Sequence, residues 1–469
     1  MTTTFPRSSP STLGIDPAGI TALVDALEST PGVEPHSLVV LRHGTVAAEG
    51  WWAPYAPDRP HLLYSLSKSF TAAAVGLAVD EGLLGLDDTV LEHFPEFADE
   101  VTDDRTRRMR VRHLLAMASG HRSETLDRAL AADPDDLVHG FLLLPPDEEP
   151  GSVFAYNQPC TYTLGAIVRR VSGGTLLEYL RPRLFAPLGI EDFAWRRDDA
   201  GHELGFSGGY TTTAAVAALG QLYLDRGVRD GVRALSEAWV DLATSSHVQN
   251  PDEENPDWRQ GYGFQFWMAR HGFRGDGAYG QFSIVLPEQD VVVAMTGQSA
   301  DMQAVLDAVW QHLLPAVDRA GSADDDAALR ARLDALTLPP TAGGPLDGAD
   351  AAPATGRRPP ATDDDTRASG LEAVELHLDD QRGWAVTLVD ASGSVTAPLG
   401  DGTWADDGVT ASSAVRTADG TVAVEVRFVQ TPHLLRVWCP SDGGPFRAAW
   451  ATQPLHDGIA TLRRPTDEA

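Results

Sequence analysis

A chain of 469 residues with 36 basic and 67 acidic side chains carries a net charge of −31. Hydrophobic residues at 43% and charged residues at 22%, with 11 Trp, 15 Phe and 9 Tyr, suffice for a large core and exclude disordered, collagen-like and coiled-coil classes. So acidic a surface repels phosphate backbones and anionic lipid, which argues against nucleic-acid or membrane partners; Cys160 and Cys439, the only cysteines, imply no disulfide framework and suit a reducing compartment.

The length predicts two or three domains. The N-terminal stretch Met1 to Asp16 lacks a basic start followed by an apolar run, and no stretch approaches 18 uninterrupted apolar residues, so a cytoplasmic location is expected. The first chemical signal is Ser65-Leu-Ser67-Lys68. From about Ser65 the chain reads as an Ala-, Leu- and Val-rich helix closed at Gly82. Ser65 and Lys68, three residues apart, share one helical face. Lys68 is also the single lysine of the chain, every other basic residue being arginine. Arginine cannot give up its proton in a protein, whereas a buried lysine can be driven toward neutrality. A titratable amine beside a hydroxyl at a helix N-terminus is an activated-nucleophile arrangement. Ser67 competes as the nucleophile but has no lysine at that spacing.

The second signal, Tyr156-Asn157-Gln158, precedes an amphipathic helix over Thr163–Ser172 stopped by Gly173-Gly174. It can supply a phenolate and an amide, or it can be a buried tyrosine bonded at a turn. The third signal is Arg274-Gly275-Asp276-Gly277-Ala278-Tyr279-Gly280, flanked by predicted antiparallel strands with a turn at Pro287 to Asp290. Glycines in a strand mark close backbone approach, and such an edge can offer an N–H to an oxyanion; a plain hairpin has the same pattern. Beyond residue 316 the chain turns rich in Ala, Asp, Pro and Gly and reads as a linker with an embedded helix, Ala327–Leu336. From about residue 370, short alternating strands such as 373–378, 384–389, 421–428 and 434–438 predict a small antiparallel barrel or sandwich.

The 14 histidines form no His-x-x-x-His pair and the cysteines no Cys-x-x-Cys, so no metal site is expected, and no phosphate-binding glycine motif implies a cofactor. His61, His113 and His121 read as structural; Trp51, Trp52 and Trp267 read as core or pocket walls.

Taken in order, Ser-x-x-Lys, Tyr-x-x and the Gly-rich strand resemble the serine β-lactamase and penicillin-binding-protein superfamily, above all its branch of class C β-lactamases, family VIII esterases, D-aminopeptidases and 6-aminohexanoate-dimer hydrolases. Val111–Gly120 and Gly208–Gly220 resemble further segments of that family, and the likeness covers about residues 12 to 316. The resemblance implies an α/β (α+β) fold: an antiparallel sheet flanked by helices plus an all-helical subdomain over 1–318. A linker over 319–369 and a lipocalin-like accessory barrel over 370–469 follow. It also implies that Ser65 is the acylated nucleophile, Lys68 its general base and Tyr156 a proton shuttle, with the N–H groups of Ser65 and Ala278 as oxyanion hole and Gln158, Asp276 and Gly277 at the substrate.

Two departures matter. Gln158 stands where the second motif commonly ends in Asn, and Gly275-Asp276-Gly277 stands where the third usually begins with Lys or His. Loss of that cation and gain of an aspartate disfavour anionic substrates, and Arg274, pointing to the other strand face, is a poor replacement for it. The expected activity is hydrolysis of neutral or cationic esters, amides or small peptides, with poor β-lactam turnover and no cofactor. An acyl transferase on the same residues and a catalytically silent binding protein remain the alternatives, and the sequence leaves the oligomeric state open.

Overall fold

The computed structural model describes residues 5–346, 355–379, 383–455 and 458–466. The first four residues of the N-terminal stretch lie outside it. Its centre is a six-stranded antiparallel sheet in the order Thr45–Trp51, Pro35–Arg42, Val291–Gly297, Gln281–Leu286, Gly272–Gly277, Trp267–Ala269. Leu38 pairs with Met295 and Phe282 with Asp276. Both faces of this sheet are covered, which is why Leu38-Val39-Val40-Leu41 is continuously apolar rather than alternating.

On one face, Leu38, Val40, Ile284 and Val293 pack against Ile20, Leu23 and Leu27 of the helix Pro17–Ser29 and against Leu306 and Val309. On the other, Val39, Leu41, Val285 and Val292 meet Val216 and Leu219 of the helix Thr213–Leu224. Gly220 lets that helix sit close, since a Cβ there would stand 2.8 Å from Val292 Cγ1. The same core continues into a helical subdomain, where Ala72 to Val75 of the helix Ser67–Asp80 contribute with Leu164 and Ile167 of the helix Gln158–Ser172.

The helix expected inside the linker runs over Ala323–Asp334, and its Leu329 and Leu333, with Leu336, pack into the core beneath the strand Thr45–Trp51. The C-terminal strands divide between two sheets. One holds Gly356–Arg358, Leu371–Asp379, Gly383–Asp390 and Gly393–Pro398; the other is built on Thr410–Arg416, Val422–Phe428, Leu434–Cys439 and Arg447–Trp450. They enclose a core of their own containing Val386, Leu388, Val424, Val426 and Leu435. Hydrogen bonding among the described residues does not close these strands into the lipocalin-like barrel expected; the alternation was enough to foresee strands but not how they partition. No helix among the described residues is long and apolar enough to cross a membrane.

Candidate active site

Ser65 lies on a single 3-10 turn, Tyr64–Leu66, immediately ahead of the helix Ser67–Asp80, so the helix begins two residues later than the sequence suggested. The other hydroxyls of this stretch are committed to backbone groups. Ser67 Oγ accepts from the N–H of Gly209 at 2.9 Å, Ser69 Oγ donates to Gln265 O at 2.9 Å and Thr71 Oγ1 to Gly205 O at 2.9 Å. Ser65 Oγ instead meets Lys68 Nζ at 3.1 Å. Ser67 is therefore structural, and Ser65 is the hydroxyl that faces the amine.

Lys68 is 1% exposed. Its Nζ lies 2.6 Å from Gln158 Oε1 and 2.9 Å from the carbonyl of Phe206. Those two oxygens can only accept, whereas the Ser65 hydroxyl can donate. As an ammonium Nζ donates to all three oxygens; as a neutral amine it donates to Gln158 and Phe206 and turns its lone pair to the Ser65 proton. Burial pushes the Lys68 pKa down to about 7, against the opposing pull of the Glu124 and Asp276 charges.

Tyr156 roofs this amine, with Nζ 4.5 Å from its ring centroid, and the ring stacks on Trp267 at 5.4 Å and 21°. Burial, reinforced by the Asp276 charge, holds its phenol well above the ordinary range despite the Ser65 hydroxyl nearby. Burial therefore disfavours a phenolate at Tyr156, whereas it favours the neutral form of Lys68. Gln158 is also not in a loop; it is the first residue of the helix Gln158–Ser172, and its N–H is taken by Glu124 at 3.1 Å.

The third motif lies on the strand Gly272–Gly277, against the serine turn. A Cβ on Gly277 would stand 2.0 Å from Leu63 O and 3.1 Å from the N of Leu66, so only glycine lets the strand come this close to the serine turn, where Ala278 packs with Tyr64. At Gly275 a Cβ would meet Leu66 Cδ1 at 2.5 Å and Ser69 Oγ at 2.7 Å. A side chain at this position would therefore have to displace the ends of Leu66 and Ser69. Arg274 does point away from the Gly275 side, as strand alternation requires, but it shares a face with Asp276 and donates to it from Nε at 3.1 Å, both being buried. Arg274 also lies over Trp258, 4.3 Å from the ring centroid. Burial holds the Asp276 carboxyl above its ordinary range even with Arg274 beside it.

The structure thus brings Ser65, Lys68, Tyr156, Gln158, Asp276, Gly277 and Ala278 to one place. Sequence reasoning missed Phe206, Glu124 and the Arg274–Asp276 pair. A backbone carbonyl such as that of Phe206 leaves no mark on residue type, whereas the Arg–x–Asp pair was open to strand periodicity. His61 is buried and bonded to His36 at 3.1 Å, and His121 to Ser119 at 3.0 Å. Among the described residues no group of three His, Cys, Asp or Glu could hold a metal.

Comparison with known proteins places this arrangement. The 6-aminohexanoate-dimer hydrolase of Paenarthrobacter ureafaciens is 31% identical over 282 residues, covering 55% of this chain and 71% of that protein. The lovastatin esterase of Penicillium rubens is 32% identical over 161 residues, 30% of this chain and 40% of that protein. Among solved structures, a putative 6-aminohexanoate-dimer hydrolase from Bacillus anthracis superposes with a TM-score of 0.53 at 20% identity, over 70% of this chain and 89% of that one, a likeness of fold. The family model described as Beta-lactamase matches residues 20–315, which hold every site residue named above. With that span, that fold and hydrolases among its relatives, the chain belongs to the beta-lactamase family and is a hydrolase.

Proposed function

We propose that the protein is a serine acyl hydrolase that cleaves ester, amide or small peptide bonds of neutral or cationic substrates through an acyl-enzyme on Ser65. The observation that carries this reading is the environment of Lys68, a buried amine with two fixed acceptors and one hydroxyl.

In the first step Ser65 Oγ attacks the carbonyl carbon while its proton passes to Lys68 Nζ. Charge on the carbonyl oxygen is met by the N–H groups of Ser65 and Ala278. The bond to the leaving oxygen or nitrogen then breaks, and the Tyr156 phenol relays the lysine's proton to it. Water enters, gives its proton back through the same pair, and displaces the acyl group as a carboxylic acid with Ser65 restored.

The charges around the cleft support the substrate class. Glu124 is exposed beside Gln158, the Asp276 charge acts on Lys68, and the position of the motif's cation is a glycine packed against Leu66 and Ser69. A substrate carboxylate gains nothing here, which weighs against penicillins and cephalosporins. The test is a panel of p-nitrophenyl esters, D- and L-amino-acid amides and nitrocefin, with mass spectrometry of the Ser65 peptide after a fluorophosphonate. Turnover of an ester or amide with a labelled Ser65 is the expected result. Nitrocefin turnover rivalling the best ester or amide would overturn the substrate class, and an unlabelled serine would overturn the mechanism.

A further inference from the structure

The two residues whose N–H groups are assigned to the oxyanion hole are each neighboured by a tyrosine in the left-handed backbone region, Tyr64 (φ 49°) before Ser65 and Tyr279 (φ 67°) after Ala278. Non-glycine residues hold that conformation only where their surroundings impose it. Both pack with Leu62, Ala194 and Tyr210, and the hydrogen-bond acceptors of their hydroxyls come from the C-terminal unit. The Tyr64 hydroxyl donates to His433 Nε2 at 2.6 Å, and His433 Nδ1–H donates to Thr452 O at 2.9 Å, which fixes the tautomer that leaves Nε2 free to accept. The Tyr279 hydroxyl donates to Gln453 O at 2.6 Å.

The three rings close on one another edge to face, with centroids 5.7 Å apart for Tyr64–Tyr279, 5.8 Å for Tyr64–His433 and 5.6 Å for Tyr279–His433. The chain just ahead is tied to the same loop, since the N–H of Leu62 donates to Gln430 O at 2.8 Å. Burial keeps His433 neutral, its pKa pushed down to about 3, so this contact does not titrate where enzymes work.

We propose that His433 is a positioning residue of the oxyanion hole: by holding the Tyr64 hydroxyl, with Tyr279 braced on the same ring, it fixes the two turns that aim the Ser65 and Ala278 N–H groups at the substrate carbonyl. The C-terminal unit then completes the catalytic site without touching substrate. This rests on the acyl-enzyme reading above.

The experiment uses the full chain carrying Tyr64→Phe, His433→Phe or both. Each is assayed with p-nitrophenyl butyrate, and with phenylboronic acid, whose serine adduct places an oxygen in the oxyanion hole. In both single variants kcat is expected to fall about tenfold with KM held within about twofold, and the boronic acid inhibition constant to rise in step. The double variant is expected to be no worse than the poorer single one, because both break one contact. Arg59→Ala cuts an ion pair to Asp406 (2.8 Å) in the same interface, away from His433, and is expected to keep kcat within about twofold.

The positioning role is overturned by wild-type kcat and inhibition in Tyr64→Phe, by a loss that tracks only the unfolded fraction, or by an equal loss in Arg59→Ala. Should His433→Phe fail to fold, Tyr64→Phe decides alone. Fluorophosphonate labelling of the unsubstituted chain separates the two readings. An unlabelled Ser65 removes the acyl-enzyme and this role together, whereas a labelled Ser65 with unaffected variants removes only this role.

Discussion

Lys68 and Arg427 are both withdrawn from water, at 1% and 4% exposed, and they do opposite things. Arg427 lies at the seam between the two units with a carboxylate in its fork, its Nη1 and Nη2 reaching Glu34 Oε1 and Oε2 at 2.6 and 3.2 Å. Burial works against the charge there, but Glu34 more than compensates and the arginine stays a cation. Lys68 has oxygens around it but no carboxylate among its hydrogen-bond partners, and its proton is loosely held. A buried cation with a counter-ion is an adhesive; one without becomes a base. The residue types serve this division, since only the lysine can be neutralised.

The comparison can be broken most severely at the base itself. Lys68→Arg keeps the charge and removes the lone pair, so kcat/KM for a p-nitrophenyl ester is expected to fall by roughly 10²–10⁴, and Ser65→Ala by at least about 10³. An active arginine variant would show that no neutral amine is needed.

Next in size is the adhesive. Glu34→Leu strands Arg427 as a buried, unpaired cation and is expected to destabilise the chain by about 3–5 kcal/mol, read in denaturant unfolding. A change below about 1 kcal/mol would mean the pair is idle. Burial opposes the Glu34 charge, but the hydrogen bond from His36 and the Arg427 charge outweigh it and hold the carboxyl far below its ordinary range. The sign follows: its contribution is complete above the ordinary glutamate range and is lost only as the pH falls toward the depressed folded value.

A smaller effect converts one region into the other. In the wild type the reactive amine is the deprotonated one, so kcat/KM is expected to rise with pH through about 7 and then level off. Gln158→Glu places a carboxylate on Lys68 as Glu34 sits on Arg427. The rising limb should move up by about 1–3 pH units, with about a tenfold loss or more at neutral pH. A limb that stays in place would separate it from Lys68. Smallest is Asp276→Asn, which leaves Arg274 without its counter-charge beside the cleft. The ratio of kcat/KM for a hemisuccinate ester over a neutral ester is expected to rise several-fold, by about 1 kcal/mol in differential binding; an unchanged ratio would show that Asp276 does not select.

Ser65 and Lys68 were visible because a hydroxyl and an amine three residues apart are read directly by a helical turn, whereas Tyr156 was singled out only through the family resemblance. Gly277 was visible as well, as a glycine where backbones meet. The contacts that tune these groups were not. The carbonyl of Phe206 has no residue signature, and His433 reaches Tyr64 from 369 positions away. In the fold, the antiparallel sheet with its flanking helices was expected from the family resemblance, whereas periodicity itself marked only the helix after Ser65, the helix before Gly173 and the strands on either side of Pro287. The helix expected over Ala327–Leu336 inside a linker starts earlier, at Ala323, because Asp324 to Asp326 form its first turn, and Leu329, Leu333 and Leu336 bind it to the main core. For the C-terminal strands, alternation marked four of them and left barrel and sandwich both open, because partition into two sheets depends on pairings that no single strand encodes.

Gly275 sets a limit on how this scaffold can change. A side chain at 275 would place its first carbon 2.5 Å from Leu66 Cδ1 and 2.7 Å from Ser69 Oγ, so any cation recruited there requires those two side-chain ends to turn aside. Ser69 Oγ would then give up its bond to Gln265 O, and the turn and helix that carry Ser65 and Lys68 would be repacked in the same step.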